Sequence, residues 1–244
     1  MIKIITWITK LILVALTTLL FGSCHFNYDS IKGSGKVTSE KRTVEGKFNG
    51  AKVSSAIHLI IEQADKTEII VEADDNLHES IMIAVENGQL VISSKPNMNI
   101  RNGTRIVKLK MPLIEELQAS SASKISSVNT LKGAQLNIKT SSAASADLSV
   151  EMDYVNCDSS SGSTIKIDGL ALKLNTEASS GSSIKAFRLL VNETIADASS
   201  GATIQVHPVL SLKAEASSGA SVEYDIAPKT IEKKTSSGGS VSQE

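Results

Sequence analysis

An all-β fold, a parallel β-solenoid (β-helix-like) with an N-terminal β-meander or hairpin region, is what this sequence predicts, and three observations carry that expectation. The pair Ser-Ser followed by a small residue recurs seven times in the second half, at intervals of 18 to 21 residues. Between the pairs run stretches that alternate apolar with polar, such as Leu172-Lys173-Leu174-Asn175-Thr176-Glu177-Ala178, which is the period of a half-buried strand. Only 3% of the residues are aromatic, which suits coils too narrow for large rings. A fixed period near twenty residues means stacked supersecondary units, and it is too short for a βαβ crossover with its strands.

Taken in order, Met1 to Ser23 reads as a secretory signal. Lys3 and Lys10 give a positive start, and Leu11 to Phe21 is apolar but too short to span a bilayer. The segment ends Leu20-Phe21-Gly22-Ser23-Cys24, which resembles a bacterial lipobox with Phe21 where leucine is usual. Cys24 is then the lipidation site, and its acyl chains anchor the protein in a membrane at about 0.8 kcal/mol per buried CH₂. The alternative is an ordinary signal with an incidental cysteine. Residues 24–35, with Gly33-Ser34-Gly35, read as a flexible tether. The expected location is the cell envelope, most simply the outer membrane, with the face undetermined.

Residues 36–115 carry strand patterns without the period. Ile57 to Ile61 and Glu68 to Glu72 flank a polar turn at Asp65-Lys66, and Asn87-Gly88 joins Ile81–Glu86 to Gln89–Ser94 as a two-residue hairpin. Asn102-Gly103 reads as a second hairpin before Arg105 to Lys110. Hairpins force antiparallel pairing, so this half is expected to be a meander continuing into the solenoid and covering its open end. Ser54-Ser55-Ala56-Ile57 echoes the repeat, which softens the boundary near Leu113.

Residues 116–244 read as about seven solenoid rungs, each a strand, a serine bend, a strand and a second bend. The bends are Ser120-Ser121-Ala122, Ser141-Ser142-Ala143, Ser160-Ser161-Gly162, Ser179-Ser180-Gly181, Ser199-Ser200-Gly201, Ser217-Ser218-Gly219 and Ser236-Ser237-Gly238. Gly after two serines supplies positive φ, and serine is expected to satisfy backbone groups and bond its equivalent one coil away. Ile125, Ala146, Ile165, Ile184, Ile204, Val222 and Val241 are expected to share one inward column. Leu117, Leu136, Val155, Leu174, Thr194, Leu212 and Ile231 are expected to share another. An antiparallel sandwich also uses serine-rich turns, but its turns fall about every 8–12 residues.

Formal net charge is −1, so nothing points to nucleic acid. With Cys24 lipidated, Cys157 has no partner; alternation places it inward, as a buried inert thiol. His25, His58, His78 and His207 are scattered and no catalytic fingerprint occurs, so no catalytic residue is assigned. Just outside the bend, one column reads Gln118, Lys139, Asp158, Glu177, Asp197, Glu215, Lys234. Four carboxylates at a strand spacing of about 4.8 Å repel by about 0.9 kcal/mol per neighbouring pair in water. Such a ladder either binds a cation such as Ca²⁺ or a basic partner through oxygen ligands, or is a solvated stripe eased by Lys166 and Lys185. No other cofactor is expected.

Several stretches together carry a family resemblance. They are Gly33-Ser34-Gly35-Lys36-Val37, Phe48-Asn49-Gly50 followed by Val53-Ser54-Ser55-Ala56-Ile57, Val71 to Leu77, Val85-Glu86-Asn87-Gly88-Gln89-Leu90, and the later Ser-Ser-Gly repeats. The chain resembles the bacterial head GIN domain adhesin family over nearly the whole mature sequence. The resemblance implies an envelope lipoprotein with an all-β, β-helix-like fold, and it brings no catalytic or binding residues with it. The expected function is a non-enzymatic, adhesin-like binding or scaffold module facing an envelope protein or glycan. The alternative is a polysaccharide-acting β-helix lyase or glycosidase, which needs paired carboxylates in a groove. Against a strong sugar site stands the absence of tryptophan after Trp7.

Overall fold

The computed structural model describes residues 7, 8, 10–12, 14 and 29–244. Cys24 and most of the segment read as a signal lie outside the described residues. No helix among the described residues is long and apolar enough to cross a membrane.

The first nine strands are β1 (Asp29–Lys32), β2 (Val37–Arg42), β3 (Gly50–Val53), β4 (His58–Gln63), β5 (Glu68–Asp74), β6 (Ile81–Glu86), β7 (Gln89–Ser94), β8 (Met98–Arg101) and β9 (Arg105–Met111). They do not form a simple meander. β3 and β4 pair in parallel with the first repeat strands above and with β7 and β9 below, so both pairs are solenoid rungs. Antiparallel pairing is confined to the outside of this end, where β6 folds back on β7 through Asn87-Gly88, β5 covers β9 and β2 covers β5. Asn87 and Gly88 both have positive φ, as the expected hairpin turn requires. The echo at Ser54-Ser55-Ala56 is a true bend, with φ of 65° and 54° at Ser55 and Ala56. The boundary expected between 36–115 and 116–244 therefore does not divide the architecture.

Asn102-Gly103 makes no hairpin, because β8 pairs in parallel with β1 while β9 pairs with β4 and β5. The segment 29–35, read as part of a flexible tether, belongs to the folded body. Gly33 N–H donates to Arg101 O (3.1 Å), Gly35 N–H to Asp74 Oδ2 (2.8 Å), and Ser34 Oγ–H to Asp75 Oδ1 (2.6 Å). Asp74 is buried, and its second oxygen accepts from Thr104 N–H at 3.1 Å. A carboxylate taken out of water needs such donors, and the tether backbone supplies one of them.

The repeat strands follow as β10 (Glu116–Ala119), β11 (Lys124–Ser127), β12 (Leu131–Thr140), β13 (Ser145–Ser159), β14 (Thr164–Ala178), β15 (Ser183–Ala198), β16 (Thr203–Ala216), β17 (Ser221–Tyr224), β18 (Thr230–Thr235) and β19 (Ser240–Gln243). All pair in parallel, giving a parallel β-solenoid of about seven turns. The long strands run through a second corner, where pairing skips Asp153, Leu172 and Asn192. Bulges after Lys166 and Ala186 absorb the inserted residues, which is why the period varies without the bends losing register.

The column through Ile125 is as expected and extends downward through Leu59 to Val107. Its members are buried apart from Val241, each large aliphatic contributing about 1.5–3 kcal/mol. The second column needs one correction. Leu117 is opposite Ile138, so it heads the file Leu117, Ile138, Cys157, Thr176, Ala196, Ala214. The column Leu136, Val155, Leu174, Thr194, Leu212, Ile231 stands two residues earlier in each rung. With a side-chain period of two, such a slip keeps the residue inward while changing its neighbours.

Candidate functional site

The serine bends set the geometry of the face on which the candidate residues lie. In each bend both the second serine and the residue after it have positive φ, for example 53° and 68° at Ser161 and Gly162. The residue that follows donates its N–H back to the first serine, as Ser163 does to Ser160 O (3.2 Å). Positive φ at both central positions is the type I′ signature. Successive bends are joined by backbone, Gly162 N–H donating to Ser180 O and Gly181 N–H to Ser200 O. The expectation that serine-pair hydroxyls make these bonds is thus corrected. The bonding hydroxyls beneath the bends belong to buried Ser123, Ser163 and Ser182, one position further on.

With the bends stacked, the predicted column is a physical file. Gln118, Lys139, Asp158, Glu177, Asp197, Glu215 and Lys234 are successive register partners. Asp158, Glu177 and Asp197 are exposed and Glu215 is half-buried. Lys234 Nζ donates to Glu215 Oε2 at 3.0 Å, and this bond, then the Glu215 charge, then those of Asp197 and Glu232, hold its pKa above the ordinary lysine value. The side chains leave parallel strands side by side and do not converge. Among the described residues no group of three His, Cys, Asp or Glu is placed to hold a metal ion. That is a poor geometry for Ca²⁺, which takes 6–8 oxygens around one centre.

Beside the acidic file stands one that the sequence reading missed. Asn137, Asn156 and Asn175 are register partners, and Asn156 Nδ2–H donates to Asn137 Oδ1 at 2.8 Å. It lies four residues before each serine pair, so the counting that found the carboxylates would have found the amides. Further from the bend lies a third outward file, Tyr154, Lys173, Glu193, Ser211, Thr230. A groove of about 540 Å³ runs between the second and third files.

The remaining candidates are dispersed. Cys157 is buried and free, and desolvation pushes its thiol pKa up to about 12, so it is inert when folded. His58 bonds Ser126 Oγ (2.8 Å), and burial, then Lys124, lowers its pKa. His78 is buried against Thr38 Oγ1 (2.9 Å), and His207 pairs with Asp225 at 2.8 Å. His25 lies outside the described residues.

These features define a class: a parallel β-solenoid whose capped end precedes a run of rungs bearing ordered outward files. The chain belongs to the family described as putative auto-transporter adhesin, head GIN domain, whose model matches residues 47–228. A solved putative adhesin from Bacteroides fragilis has a TM-score of 0.81 at 19% identity, covering 88% of this chain and 100% of that one. A putative adhesin from Parabacteroides merdae gives 0.70 at 22% identity, covering 88% and 99%. A protein from Parabacteroides distasonis described as a putative lipid binding protein gives 0.72 at 18% identity, covering 88% and 100%. At these identities the likeness shows the fold. Comparison with curated proteins found no match.

Proposed function

We propose that this protein is a non-enzymatic, lipid-anchored module of the cell envelope that binds in an adhesin-like manner through its repeated outward face. The observation that carries this reading is the in-register stacking of side-chain files. Successive rungs set their outward, mostly polar side chains in the same files at a fixed spacing, and a surface of that kind suits an extended partner better than a single reacting centre. The adhesin family supports it, as do the solved relatives of the same fold. The carboxylates Asp158, Glu177, Asp197 and Glu215 serve here as an open polar face toward an envelope protein or glycan, and no nucleic acid is involved. Cys24 carries the lipid, and the short stretch between it and the clamped Gly33–Gly35 segment holds the body close to the membrane, most simply the outer one.

Two measurements test this. Metabolic labelling with an alkyne fatty acid should mark the parent chain and leave Cys24→Ala unlabelled and released from membranes; equal labelling of the variant removes the anchor from the reading. Cells displaying the protein should attach to neighbouring cells or to an envelope preparation more than cells lacking it. Equal attachment sinks the adhesin-like role.

A further inference from the structure

The geometry points to a binding site for a neutral, linear oligosaccharide in the groove between the second and third outward files. This deepens the binding reading above and rests on it. One wall is the file Tyr154, Lys173, Glu193, Ser211, Thr230, and the other is Asn175, Ile195, Lys213, Glu232. The trough crosses five rungs, a length of about 19 Å at about 4.8 Å per rung. One rung is close to the advance of one unit in an extended pyranose chain, so ligand and walls repeat together.

The chemistry of the walls selects among extended ligands. Each wall carries one lysine beside one glutamate: Lys173 pairs with Glu193 at 3.0 Å, and Lys213 is the register partner of Glu232. A polyanion or polycation laid in the trough therefore meets as many like charges as opposite ones. A hydroxyl both donates and accepts, and it is satisfied by Asn175, Ser211, Thr230 and by either member of a Lys–Glu pair. An extended peptide is disfavoured because the trough runs across the strands. Its amides would find no sheet edge, which is where strand addition draws its hydrogen bonds. The half-exposed ring of Tyr154 and the 52% exposed side chain of Ile195 offer apolar surface for the C–H faces of sugar rings. One tyrosine in place of tryptophan fits a site whose strength comes from length rather than from one anchor.

The test is calorimetric titration of the full chain in detergent micelles with cello- and xylo-oligosaccharides of two to six units. Affinity should rise with length to about five units and then level. Tyr154→Ala and Asn175→Ala should each weaken binding about tenfold, while Lys132→Ala, outside the groove, leaves it unchanged. Tyr154→Leu keeps the bulk and loses the ring, so it serves if the alanine variant melts early; it too should bind weakly. Absence of heat at every length, affinity independent of length, or binding indifferent to the Tyr154 and Asn175 variants overturns the site. Preference for a polyanion or a peptide in the same titration also overturns it. If cells still attach while the oligosaccharides do not bind, the groove assignment falls and the adhesin reading stands. Oligosaccharide binding without attachment has the reverse meaning.

Discussion

Thr194 and Thr176 are two buried threonines with opposite accounts. Thr176 Oγ1–H donates to Ile195 O at 3.2 Å, whereas Thr194 Oγ1 sits in the column of Leu174 and Leu212 with no partner. A buried hydroxyl left unsatisfied costs about 1–3 kcal/mol, and valine keeps the shape without the cost. Thr194→Val is therefore expected to raise unfolding stability by about 1 kcal/mol in urea, and Thr176→Val to lower it by a similar amount; equal effects of one sign would contradict the assignment. Cys157 supplies a pH test. Its folded pKa of about 12 lies above the ordinary 9.0, so its contribution is whole below pH 9 and is lost as pH rises from there toward 12. At pH 10 the loss is on the order of 1 kcal/mol, one pH unit of linkage. Relative to Cys157→Ala, the parent should lose that much stability between pH 8 and 10. Parallel pH profiles for the two proteins would show that the thiol does not report burial.

At the level of the element, the bends were legible because their backbone demand is local. Two residues at positive φ call for small or polar side chains, and the sequence repeats that demand in nearly fixed words. Ala122 and Ala143, at φ of 58° and 59°, stand where later rungs use glycine, so the first bends carry a strain of about 1–2 kcal/mol that glycine avoids. The clasp on Gly33–Gly35 was not legible. Its donors and the acceptors Asp74 and Asp75 lie some forty residues apart, and no periodicity links them. The order of β3, β7 and β10 was hidden for the same reason, since a rung inserted beneath its predecessor leaves no trace in spacing. The asparagine file was readable by the same counting as the acidic file, but its groove was not, because the second wall stands two residues earlier and changes residue type at every rung. Gly33 makes the clasp testable. A Cβ there would stand 2.1 Å from Asp74 Oδ2 and 2.7 Å from Asn102 O, and backbone cannot yield cheaply. Gly33→Ala should free β1 from β8, exposing residues 29–35 to limited proteolysis while the rungs beyond β10 stay resistant. Unchanged cleavage would mean that the segment is held by β1 alone.

On the scale of the whole molecule, the two ends of the solenoid are handled differently. The N-terminal end is closed by strands that reverse direction, so β7 and β9 never offer their outer edges to solvent. At the other end, β18 is exposed along its whole length, and Ile231, continuing an inward column, is 43% exposed. The device that blunts this end is Lys233. It is the register partner of inward Ala214, so it takes the next place in the column of Leu117 and Ile138. There its ammonium lies 4.7 Å from the Tyr224 ring centroid and donates to Tyr224 Oη at 2.7 Å. A charge in an inward position makes stacking of another rung costly, because the ammonium would have to leave water. Lys233→Leu removes that cost and offers a continuous apolar column with an unpaired strand edge beside it. Two such ends can meet antiparallel with their inward residues on one face, the two Lys233→Leu positions opposite each other, Ile231 opposite the partner's Thr235 and Glu232 opposite its Lys234. The variant is therefore expected to associate end to end, with a concentration-dependent rise in sedimentation coefficient that the parent lacks. An unchanged coefficient up to about 100 μM, roughly −5.5 kcal/mol of association, would show that the strand edge is guarded by something other than this charge.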